Sequence, residues 1–175
     1  MERRYISVIG GGSCSATEYA LAEEIGCLVA KRGATLVCGG LLGVMEAAAR
    51  GAKEAGGTTI GILPNHDRTS GNPYLDYVVT TGMGHARNLA VVSTGDAVIA
   101  VGGSYGTLSE IGLAAKLGRP VVVMGGWRLQ KDETAGGIWY AASPHEAVAL
   151  AFGDEDPGSH AFDGSRPGDK TGPDR

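Results

Sequence analysis

The sequence predicts one α/β domain: a single doubly wound, mainly parallel sheet with helices on both faces. Three observations carry this expectation. Short apolar runs alternate with longer segments of helical character. The runs are continuous in Val and Ile, as in strands buried on both faces of a parallel sheet, instead of alternating with polar residues. Glycines gather where those runs stop. The chain holds 30 glycines in 175 residues, more than twice the usual ~7%. In a doubly wound sheet, ligands bind outside the carboxyl ends of the strands. The pattern therefore sets the glycines along one edge, facing one crevice.

Each element has a local reason. Tyr5–Ile9 reads as a strand ending in Gly10-Gly11-Gly12. A helix follows over Ala16–Lys31, opened by the capping box Ser15-x-x-Glu18 and stopped by Gly33. Ala34–Val37 is the second strand, ending in Cys38-Gly39-Gly40, and Val44–Ala55 the second helix, closed by Gly56-Gly57. Thr58–Leu63 is a strand broken by Pro64, Asn65–Asp76 a polar loop, and Tyr77–Val79 a short strand. Gly84–Ser93 reads as a helix, Ala97–Val101 as a strand ending in Gly102-Gly103, and Thr107–Leu117 as a helix closed by Gly118. Pro120–Met124 is the next strand. Ser143-Pro144-x-Glu146 starts a last helix, with Ser as cap, Pro in the first turn and Glu completing the box. Residues 1–152 form the domain. Residues 153–175 hold five Gly, three Pro, six acidic and three basic residues with one aromatic, Phe162. Such a segment buries too little apolar surface to order itself, and is expected to be a disordered acidic tail.

Composition excludes several classes. A net charge of -4 argues against a nucleic-acid binder working through a basic face. No stretch approaches the ~20 apolar residues of a membrane helix, and the first residues lead into a strand with no secretory h-region. Cys14, Cys27 and Cys38 have no zinc spacing and fit a reducing, cytoplasmic setting. His66, His85, His145 and His160 show no ligand spacing either, so no protein-bound metal is expected.

The glycine loops carry the chemistry. Gly10-Gly11-Gly12-Ser13-Cys14-Ser15 follows a strand and opens a helix, as a phosphate-binding turn does. Gly11, Gly12 and Ser13 are candidates there, because backbone without Cβ atoms lets N–H groups approach a phosphate. The alternative is a tight turn with no ligand. The second strand ends without the acid that would bind a ribose hydroxyl, which argues against a dehydrogenase. Gly39, Gly40, Gly43 and Met45 belong to a second loop, read either as binding or as close strand–helix packing. The third loop, Gly102-Gly103-Ser104-Tyr105-Gly106-Thr107-Leu108-Ser109-Glu110, brings amides and two hydroxyls to a helix start, an anion cradle. Glu110 is either the end of a Thr107-x-x-Glu110 capping box or a carboxylate held over a sugar. Arg87, early in its helix, gains nothing from the helix dipole. It is either a solvated surface residue or the partner of an anion.

With these residues in place, the chain resembles the LONELY GUY (LOG) superfamily, whose members share a modified Rossmann fold. The resemblance spans about residues 4–150. It rests on Gly39-Gly40-x-x-Gly43-x-Met45, His85-x-Arg87 and Gly103-x-Tyr105-Gly106-Thr107-x-x-Glu110. The last corresponds to the pattern P-G-G-x-G-T-x-x-E. The resemblance implies a phosphoribohydrolase that cleaves the N-glycosidic bond of an AMP-like nucleoside 5′-monophosphate. Arg87 and Glu110 would be catalytic, and Gly103, Ser104, Gly106 and Thr107 would hold the phosphate. It also implies a homo-oligomer, a dimer or higher, with Leu113–Leu117 as a candidate interface, and no required cofactor. Gly102 stands in place of the pattern's Pro, Ser104 in place of its second Gly, and Asn88 in place of its Lys. Together with Gly82-Met83-Gly84-x-Ala86-Arg87-Asn88, these departures look more like a sister branch of molybdenum-cofactor carriers. That branch binds a phosphorylated pterin without acting on it. A nucleotide sensor is a third reading. Lysine decarboxylation, a frequent label in the superfamily, has no support: none of Lys31, Lys53, Lys116, Lys131 and Lys170 lies in a glycine loop where a Schiff base would form.

Overall fold

A computed structural model describes residues 3–129 and 137–154. Seven parallel strands form one sheet in the order β4-β3-β2-β1-β5-β6-β7. They are β1 (Tyr5–Gly10), β2 (Thr35–Cys38), β3 (Thr58–Leu63), β4 (Tyr77–Thr80), β5 (Ala97–Val101), β6 (Val121–Met124) and β7 (Ile138–Tyr140). The helices are α1 (Ala16–Lys31), α2 (Val44–Glu54), α3 (Asn88–Thr94), α4 (Tyr105–Lys116) and α5 (Pro144–Phe152). The central strands are buried on both faces, as their apolar runs require. Every residue of β2, β5 and β6 is buried.

Two cores flank the sheet. One packs α1, α2 and α5 against Ile6, Val8, Leu36, Ile99 and Val101. The other packs α3 and α4 against Ile9, Val37, Val98, Ala100, Val121 and Val123. Each fully buried Val or Ile contributes roughly 1.5–3 kcal/mol relative to exposure. Strand side chains alternate between the two cores, and the sheet tolerates no register slip.

The caps behave as their residue types demand. Ser15 Oγ accepts from the Glu18 N–H at 3.2 Å, and the Glu18 carboxylate accepts from the Ser15 N–H at 2.8 Å. At α5, Ser143 Oγ accepts from the Glu146 N–H at 3.2 Å, but Glu146 reaches past the cap to the Ala142 N–H at 2.7 Å. Pro144 opens that helix, and Gly153 closes it in the left-handed conformation.

Four expectations need correction. Residues 84–93 are not one helix: a 3-10 turn, Gly84–Arg87, precedes α3. The helix after the third glycine loop begins at Tyr105, with Ser104 as N-cap, and not at Thr107. Thr107-x-x-Glu110 is therefore not a capping box, because both residues lie inside the helix. The polar loop after β3 contains a short 3-10 turn, Arg68–Ser70. Finally, Ile138–Tyr140 adds a seventh strand, pairing parallel with β6 through Val121↔Ile138. Residues 155–175, most of the expected tail, lie outside the described residues.

Candidate functional site

Strand order reverses at β1. The connections through β2–β4 proceed to one side and those through β5–β7 to the other. The loops after β1 and β5 therefore diverge and leave a crevice. A cleft of ≈ 240 Å³ occupies it. Ile9 and Gly10 form its floor, Gly11 and Gly12 one wall, and Gly39, Leu41 and Met45 the next. His85, Arg87 and Asn88 come from the segment before and into α3, and Ser104, Gly106, Thr107 and Glu110 from the start of α4.

Arg87 ends its 3-10 turn and is 7% exposed, so the solvated-surface alternative falls. The turn is fixed from below: the Gly84 N–H donates to Pro64 O at 2.8 Å and the Ala86 N–H to Met83 O at 3.2 Å. The guanidinium lies against Gly39, where a Cβ would strike both Arg87 terminal nitrogens and Met45 Sδ. Arg87 Nε is buried with no hydrogen-bond partner. Burial lowers the Arg87 pKa, while Glu110 and Cys38 oppose that shift. Cys38, under the loop, is a packing thiol that burial pushes up to about 11.

Glu110 is 6% exposed on the second turn of α4. Burial raises its pKa to about 7, against the pull of Arg87. The two charges feel each other but form no direct ion pair. Both are thus desolvated without full compensation from each other.

The start of α4 completes the cradle. Ser104 makes no side-chain cap hydrogen bond, and the first intrahelical bond is Leu108 N–H to Ser104 O at 3.0 Å. The amides of Tyr105, Gly106 and Thr107 precede that bond and are oriented to meet an anion. The Arg87 guanidinium lines the same cleft.

Of the residues proposed from sequence, Gly11, Gly12, Gly39, Met45, Arg87, Ser104, Gly106, Thr107 and Glu110 come together in this cleft. Ser13 is exposed beside it. Gly40 is buried against Leu63, and Gly43 backs onto Gly11 and Gly12. Gly103 faces Thr107 and is engaged by Glu18. Tyr105 is 79% exposed and packs on Trp127 at 5.3 Å between ring centroids. Sequence reasoning missed Leu41 as a wall of the cleft. It also missed Asn72, which lies 5% exposed in the polar loop. Asn72 Nδ2 donates to Leu41 O at 2.9 Å, and its backbone N–H donates to Gly40 O at 2.9 Å. The one available signal was the Asn72-Pro73 turn.

The family model for the SLOG cluster4 family matches residues 3–148. The chain belongs to that family. An uncharacterized protein of Archaeoglobus fulgidus is 45% identical to this SLOG cluster4 chain over 148 residues, covering 85% of the chain and 94% of the relative. The molybdenum cofactor binding protein of Rippkaea orientalis has the same fold, with a TM-score of 0.79 at 36% identity, covering 88% of this chain and 98% of that one. A cytokinin riboside 5′-monophosphate phosphoribohydrolase of Mycobacterium tuberculosis is 32% identical over 116 residues, 61% of this chain and 62% of the relative. The LOG-like character expected from the sequence is thereby shown. Among the described residues, no helix is long and apolar enough to cross a membrane.

Proposed function

We propose that this SLOG cluster4 protein binds a phosphorylated, ring-bearing small molecule in the cleft, as a carrier for molybdenum cofactor or a related pterin or nucleotide. The observation that carries the reading is the buried Arg87, whose Nε lacks a partner, in one cleft with the uncapped start of α4. A phosphate group would accept from the guanidinium and from the α4 amides together. Arg87, Ser104, Gly106 and Thr107 would hold that group. Gly11, Gly12, Gly39 and Met45 would shape the wall beside it. The likeness to the Rippkaea orientalis protein covers 98% of that chain, which favours the carrier over the hydrolase.

One observation favours a second reading, a phosphoribohydrolase acting on a nucleoside 5′-monophosphate. Glu110 sits in the same cleft with a pKa raised to about 7, a range suited to moving a proton near neutrality. In that reaction water adds to the ribose carbon as the N-glycosidic bond breaks, and the departing base takes a proton. Arg87 would hold the phosphate, and Glu110 would stabilise positive charge on the ribose and orient the water.

One experiment separates the two. The protein is incubated with AMP and other nucleoside monophosphates, and free base is scored by chromatography beside a thermal-shift assay. Stabilisation by a phosphorylated pterin greater than by AMP, with no base released, is expected of the carrier. Base release that disappears in Glu110→Gln establishes the hydrolase instead. Neither stabilisation nor release with any phosphorylated ligand sinks both.

A further inference from the structure

Two helices begin just after the glycine loops that bound the crevice, and their starts differ. α4 has no side-chain cap. α1 is closed by its own chain: Glu18 accepts from the Ser15 N–H at 2.8 Å and from Ser15 Oγ–H at 2.9 Å. The place where a doubly wound fold ordinarily receives a pyrophosphate, the N-terminus of the first helix, thus already holds a carboxylate.

That carboxylate reaches across to the third glycine loop as well. Its Oε1 lies against Gly102, where any Cβ would collide with it. The Gly103 N–H engages it too. Gly102 and Gly103 have φ values of 52° and 87°. A proline cannot adopt such a φ, so this turn takes Gly102 where the P-G-G pattern has its Pro, with the Glu18 carboxylate beside it. Consecutive amides in such a turn make a concavity for an anion, and here the anion is internal. The neighbourhood is negative in a second respect: burial raises the Cys14 thiol, and the charges of Glu18 and Glu46 add to that rise. Ser104, the next residue after Gly103, lines the cleft.

We infer that Glu18 is a specificity-determining residue, an internal anion at the Gly102–Gly103 turn that admits one phosphate group at α4 and repels a second extending toward α1. The inference rests on the phosphate-binding reading of the cleft.

The test is calorimetric titration of the full chain with AMP and ADP, and with phosphate and pyrophosphate as ring-free probes. Wild type is expected to prefer the singly phosphorylated member of each pair. Glu18→Gln keeps a residue suited to the third helical position and is expected to raise affinity for ADP roughly tenfold, the scale of one like-charge contact near a protein surface. AMP affinity should change by less than about twofold. Ser15→Ala removes the cap but no charge; it should lower the Tm and leave the preference intact. In wild type, added salt should narrow the AMP–ADP gap, a readout that needs no variant. An unchanged preference in Glu18→Gln, an equal change in Ser15→Ala, or a gap insensitive to salt overturns the inference while leaving the cleft reading standing. Failure of all four probes to bind overturns the inference, and the cleft reading falls with it when a phosphorylated pterin also fails to bind.

Discussion

The Arg87 guanidinium lies in the space that a side chain on Gly39 would occupy. The two residues are distant in sequence and meet in the lining of the cleft. Gly39 directly follows β2 and carries no side chain, and Arg87 closes a 3-10 turn held by Pro64 O. The absence of one Cβ thus sets where the cation stands.

Gly39→Ala is expected to displace Arg87 and Met45 and to weaken binding of a phosphorylated ligand by roughly tenfold or more, since displacements of ~1 Å at a binding group carry costs of that scale. Titration calorimetry with the best ligand of the thermal-shift screen checks it. An affinity equal to wild type would show that the guanidinium position does not matter.

Arg87→Met should separate stability from function. The side chain is buried and its Nε has no partner. Removing an unsatisfied buried donor relieves about 1–3 kcal/mol. At pH 6 Glu110 can take up a proton and remain neutral, because its pKa is raised to about 7. The variant should therefore melt roughly 2–4 °C higher per kcal/mol gained, yet lose ligand binding. A lower Tm at pH 6 would mean that Arg87 already has its compensation inside the protein.

Glu110 should make stability depend on pH. Its folded pKa, about 7, lies above the ordinary 4.5 because burial disfavours the charged form. The folded protein then holds a proton that the unfolded chain has lost. The associated stability is complete below about 4.5 and is lost as pH rises through about 7. The loss is on the order of 3 kcal/mol for a shift of this size. Urea denaturation at pH 5 and pH 8 should show wild type losing more stability than Glu110→Gln. Parallel behaviour of the two proteins would refute the burial argument.

Asn72→Ala should cost about 1–3 kcal/mol, since it leaves Leu41 O and the Tyr74 N–H without their side-chain partner. Ligand affinity should fall as well, because Leu41 and Gly39 belong to the loop that Asn72 fastens. Asn72→Asp, which keeps the acceptor for Tyr74 but sets a carboxylate oxygen against Leu41 O, should cost at least as much. A stability loss with unchanged affinity would confine Asn72 to a structural role.

Truncation after Asp154 is expected to preserve both fold and binding. The end of α5 is secured by Arg4, which donates to Phe152 O at 2.7 Å, and by Arg32, which pairs with Asp154. Circular dichroism and a ligand-induced Tm shift on the shortened chain would test this. Loss of either would give residues 155–175 a role in the domain.

Local pattern determined the main elements. Continuous Val and Ile runs can satisfy only strands covered on both faces, so β1, β2, β5 and β6 were legible. Ser15-x-x-Glu18 and Ser143-Pro144 marked two helix starts because caps act within one turn. Ile138–Tyr140 was not legible: three residues carry too little periodicity, and the strand exists because β6 offers an edge to pair with. The start of α4 was misplaced because Thr107-x-x-Glu110 satisfies the local signature of a cap, whereas the left-handed turn at Gly102-Gly103 lets the helix begin two residues earlier. Tertiary structure alone decided the fate of the charges. Sequence shows a cation near a helix start and a carboxylate within a helix. Only the folded sheet buries Arg87 over Gly39, raises Glu110 by desolvation and lays Glu18 across two loops, because burial and approach between distant segments are properties of packing, with no local signature in the chain.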